Sequence, residues 1–66
     1  MTLEQALDTV SVRKNELERI SIEGLDEVID ITERETERFP YDRFIKDKLV
    51  AYKTIKEHVI GKEDAK

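Results

Sequence analysis

Five carboxylates, Glu23, Asp26, Asp30, Glu33 and Glu37, recur at intervals of 3, 4, 3 and 4 residues. That spacing draws one acidic stripe down a helix. Carboxylates so arranged can hold a cation, attract a basic partner or face water. The apolar residues of the same segment, Ile22, Leu25, Val28 and Ile29, fall on a different side, so the stripe edges an amphipathic helix. Asp26 with Asp30 and Glu33 with Glu37 are like-charged i,i+4 pairs costing about 0.2–0.5 kcal/mol each on an isolated helix, and only Arg34 and Arg38 lie near enough to soften them.

Metal chemistry is the most specific use of such a stripe, and the sequence argues against it. Glu23 with Asp26, and Glu27 with Asp30, have the i,i+3 spacing by which helical nucleotide hydrolases hold a divalent cation, but no second Glu-x-x-Glu or Glu-x-x-Asp pair stands elsewhere. Hard cations need several oxygens converging from more than one element. The only imidazole, His58, neighbours Glu57, and adjacent helical residues point about 100° apart. With no Cys, and with Ser11 and Ser21 lacking a suitably spaced base, no nucleophile is activated. Two glycines, Gly24 and Gly61, cannot build a phosphate loop. We therefore expect no catalytic residue, metal, cofactor or small-molecule substrate.

A second charged row, Lys46, Lys53 and Lys56 with Arg43 on the outer side, flanks a later apolar face. These cations can touch a phosphate backbone or meet an acidic helix. The outward face beside them carries Arg43, Asp47, Val50, Thr54 and Glu57, and two acids there are unfavourable next to phosphate. Intramolecular neutralisation is the plainer expectation, with Glu33 or Glu37 brought toward Lys46 if two helices fold back on each other.

Helical periodicity supplies the elements that position these rows. Leu3, Ala6, Leu7, Val10, Leu17 and Ile20 line a first helix over about 3–20, interrupted by Lys14, and Thr2 with Gln5 fits a capping box. Its weak point is the β-branched stretch from Thr9 to Val12, with Val12 facing away from the other apolar residues. Ser21 caps a second helix, about 22–38, which Phe39-Pro40 stops. A third, about 42–60, carries Tyr41, Phe44, Ile45, Leu49, Tyr52, Ile55 and Val59 on a wide apolar face, with Lys48 inside the stripe and Gly61 where a left-handed terminus is wanted. Residues 62–66 read as a flexible tail and 1–61 as one domain. The fold class is all-α: a small three-helix bundle or helical hairpin.

Composition narrows the function. A chain of 66 residues buries only about 60% of its unfolded surface, and it has no disulfide to compensate, so self-association is expected. Residues 1–40 carry 11 acids against 5 bases, and residues 41–66 carry 5 against 7. The net charge of -4 disfavours a dedicated nucleic-acid binder. No apolar run reaches the roughly 18 residues of a membrane span, and Met1-Thr2-Leu3-Glu4 lacks the basic and apolar regions of a signal peptide, so a cytoplasmic location is expected. Ile31, Val50 and Val12 are apolar residues on polar faces. The resulting expectation is a non-enzymatic protein–protein interaction or regulatory module, of the size and charge of short bacterial and phage regulators, meeting a partner or itself through the acidic stripe or these exposed apolar residues. A nucleic-acid-associated regulator using Arg43, Lys46, Lys53 and Lys56 is the alternative, and a structural subunit of a larger assembly the third reading.

Overall fold

A computed structural model describes the backbone of residues 1–64 and the side chains of residues 1–61. The protein is all-α, with helices α1 (Leu3–Thr9), α2 (Ile22–Arg38) and α3 (Arg43–Asp64), and a short 3-10 segment, Lys14–Arg19, between the first two. Both α1 and α2 pack on α3, while direct contact between α1 and α2 is slight. The long third helix is thus the shared surface of the fold.

The expected first helix over 3–20 does not form. It begins as read, with Gln5 N–H donating to Thr2 Oγ1 at 3.2 Å and Thr2 N–H donating to Gln5 Oε1 at 3.0 Å. It ends after seven residues. Ser11 adopts φ 57°, Val12 N–H donates to Leu7 O at 2.9 Å, and Ser11 N–H donates to Asp8 O at 3.3 Å. Those two reversed bonds are the Schellman terminus, normally built on Gly, with the usual apolar contact between the residues that Val12 and Leu7 occupy. The turn swings Val12 inward, so Val12 packs against the core instead of facing away from it. Leu17 and Ile20 return to the same core through the 3-10 segment, whose tighter winding fits a short bridge between two anchored points.

The second helix has the expected bounds. Ser21 Oγ accepts from Gly24 N–H at 3.0 Å, capping the first turn in which Gly24 lies. At the far end Phe39 N–H donates to Glu35 O at 2.8 Å, and Pro40 ends the helix. Asp42 then caps α3, its Oδ1 accepting from Phe44 N–H at 2.9 Å and Ile45 N–H at 3.3 Å. The helix runs past Gly61, which does not take the left-handed conformation expected of it. Of the expected tail, residues 62–64 are helical in backbone, and residues 65 and 66 lie outside the described residues.

Ala6, Leu7, Leu25, Ala51 and Ile55 form the buried cluster, surrounded by Leu3, Val10, Val12, Leu17, Ile20, Tyr52 and Val59. Along α2 and α3 toward the connecting turn, Ile29, Thr32 and Ile45 are also buried, and the Thr32 hydroxyl donates to Val28 O at 2.8 Å. Tyr41 and Phe44, expected on the packed face, are exposed. Tyr41 sits in the turn before α3, and for Phe44 the reason is length. At about 1.5 Å per residue, the seven-residue α1 covers about 10 Å of a third helix more than 30 Å long.

Two expectations follow from this packing. Ile55→Ala should cost about 2–5 kcal/mol, because Ile55 is fully buried, whereas Phe44→Ala should stay within about 1 kcal/mol. Equal losses in urea denaturation would contradict the packing. Ser11→Gly should stabilise the chain by about 0.5–1 kcal/mol by relieving a left-handed residue, part of the gain being offset by the entropy of the unfolded Gly. A fall in melting temperature for Ser11→Gly would show that the turn is not left-handed there.

Candidate interaction surface

The acidic stripe and the basic flank face each other. Because α2 and α3 run antiparallel across the Phe39–Asp42 turn, the side of α2 carrying the carboxylates lies beside the side of α3 carrying the lysines. Lys56 Nζ pairs with Asp26 Oδ1, and Lys53 Nζ lies 3.7 Å from Glu33 Oε1. Asp30 pairs along its own helix with Arg34 at 3.1 Å. Three of the five stripe carboxylates and two of the four flank cations therefore have partners within the chain. Glu23, Glu37, Arg43 and Lys46 make no ion pair among the described residues. The sequence expectation that neutralisation would centre on Lys46 is displaced about two turns along α3.

Nothing in this seam gathers ligands. Among the described residues no three His, Cys, Asp or Glu side chains converge on a common point, and His58 is exposed. The paired groups are substantially solvated, and ion pairs of that kind contribute only about 0–1 kcal/mol. They orient the hairpin more than they hold it.

The feature that sequence reasoning missed is at the hairpin tip. Residues 38–44 line one shallow concavity that contains Phe39, Tyr41 and Phe44, all exposed, flanked by Arg38 and Arg43. Phe44 continues the row Lys48, Ala51 and Ile55 that α1 covers further along α3. Where α1 is missing, the Lys48 ammonium sits 5.4 Å from the Phe44 ring centroid, a cation–π contact that leaves most of the ring in water. The Phe39-Pro40-Tyr41 run is the signal that could have identified the site. It puts two aromatics in a turn that no helix can cover from inside the chain.

Among the described residues no helix is long and apolar enough to cross a membrane. Compared with known protein families, curated proteins and solved structures, the chain matches none.

If the seam pairs act as surface ion pairs, a double-mutant cycle on Asp26→Asn and Lys56→Gln should give a coupling of about 0–1 kcal/mol in urea denaturation at low salt. Raising the salt to about 1 M, where screening acts over about 3 Å, should remove most of it. A coupling above about 2 kcal/mol that survives salt would mean the seam is far drier than its exposure allows.

Proposed function

We propose that the protein is a small, cytoplasmic, non-enzymatic interaction module that presents its hairpin tip to a protein partner. The observation that carries this reading is the clustering of Phe39, Tyr41 and Phe44, with Arg38 and Arg43, at one turn of a molecule measuring 39 × 20 × 16 Å. Aromatic and arginine side chains dominate the energetically decisive centres of protein interfaces. A contiguous apolar patch of this kind on a small domain is more often a contact surface than an accident.

The acidic stripe takes a secondary part. Asp26, Asp30 and Glu33 are held by cations of the same chain, which leaves Glu23 and Glu37 to bias the approach of a partner. Nucleic-acid binding loses support in the same way, because Lys53 and Lys56 are engaged and only Arg43 and Lys46 remain of the four cations. Sequence-independent affinity scales with the number of phosphates neutralised, and two cations supply little.

Immobilised chain exposed to an extract of cells that naturally express it tests the reading. Tyr41→Ser/Phe44→Ser should lose bound protein at least about tenfold, a change of about 1.4 kcal/mol, while Asp30→Asn/Glu33→Gln should leave binding nearly intact. Random-sequence duplex DNA should not bind at low salt. Undiminished capture by the tip variant would remove the tip as the functional surface, and duplex binding lost on Arg43→Ala/Lys46→Ala would favour the nucleic-acid alternative.

A further inference from the structure

We propose that the partner at the tip is a second copy of this chain, packed tip against tip across a two-fold axis. This rests on the reading of the tip as the interaction surface and commits it to one occupant. Area supports it. Phe39, Tyr41 and Phe44 are 54%, 95% and 63% exposed, which at about 200 Å² per aromatic leaves about 400 Å² of aromatic surface in water. Interface cores are about 65% apolar, so covering that surface makes a patch of about 600 Å² per chain, at the lower end of the roughly 600–1,000 Å² each partner contributes to a specific interface.

Charge supports the same occupant. Arg38 and Arg43 line the concavity, Lys48 contacts the Phe44 ring, and Glu35, Glu37, Lys46 and Asp47 lie within about one helical turn of the aromatics along α2 and α3; none of the seven forms an ion pair among the described residues. Asp42 is occupied in capping α3. A two-fold contact sets residue i against residue j and j against i, so a rim carrying both signs in nearly equal number is complementary to itself. An anionic bilayer or protein would be repelled by Glu35, Glu37 and Asp47, and a strongly cationic protein by Arg38, Arg43, Lys46 and Lys48. The remaining requirement is room, and the tip lies away from α1, whose contacts are with the other half of α3.

Sedimentation equilibrium of the full chain from about 10 µM to about 1 mM, a span in which weak interfaces of this size associate, reads the outcome. The weight-average mass should climb from 7.8 kDa toward twice that value. Tyr41→Ser/Phe44→Ser, which alters only exposed side chains, should keep the helical circular dichroism and weaken association at least about tenfold. Because the chain has no Cys, Asp47→Cys, one helical turn from Phe44, and Glu57→Cys, far from the tip, each introduce a single reporter at an exposed position outside the aromatic contact. Oxidation should link the first into a covalent dimer about tenfold faster than the second. A chain that stays at 7.8 kDa near 1 mM, a tip variant that dimerises like the wild type, or equal cross-linking rates at the two positions would each overturn the proposal. A monomer whose tip variant nevertheless loses its captured partners would leave the module reading standing with a different occupant.

Discussion

Everything in this fold depends on α3 being buried from two sides at once. The first two helices barely touch each other, so the main cluster of the core forms where the Ala51–Ile55 stretch of α3 is sandwiched between α1 and the start of α2. Ala6 and Ala51 are both fully buried within that cluster. Small side chains at a helix crossing let the backbones approach, and the bulk that fills the remaining space comes from Leu7, Leu25 and Ile55. A larger side chain at the fully buried Ala51 would force off-rotamer neighbours or a shift of the helices, at a typical cost of about 1–3 kcal/mol.

The second constraint is the early end of α1. A continuous helix over the first twenty residues would carry Leu17 about 21 Å and Ile20 about 25 Å from Leu3 at about 1.5 Å per residue. The left-handed turn at Ser11 instead folds Val12, Leu17 and Ile20 back onto the cluster that Leu7 has started. One strained residue therefore converts a rod into a lid over one half of α3. On the other half the face that α1 would cover is left bare, and the exposed Phe44 is the direct result.

Boundaries marked by side-chain chemistry were legible in the sequence. Ser21 and Phe39-Pro40 set the limits of α2, and Thr2 with Gln5 set the start of α1, because each satisfies or removes a specific backbone donor. The break at Ser11 was not legible, since a left-handed terminus usually announces itself with Gly, and the 3,4 apolar pattern runs on through it. Phe44 shows a different limit. Periodicity gave its face correctly, as it shares a row with Ala51 and Ile55, but periodicity says nothing of how far a neighbour extends along that row. The charged rows were legible as rows. Their meeting was foreseen only in general form, because the register that sets Glu33 against Lys53 and Asp26 against Lys56 follows from how α2 docks on α3, with Leu25 in one cluster with Ala51 and Ile55.

The shared-core account makes α1 an integral part of the domain despite its length. Isolated helices of seven residues are unstable in water, so the α1 amides are protected only while α1 is docked on α3. Residue-resolved native-state hydrogen exchange measures this directly. The account predicts that Ala6 and Val10, whose amides donate to Thr2 O and Ala6 O, exchange through the same global opening as Ala51 and Ile55, with opening free energies that agree within about 1 kcal/mol. Exchange at Ala6 and Val10 through an opening several kcal/mol cheaper than that of α3 would contradict it, and would reduce the fold to a two-helix hairpin with a loosely attached segment.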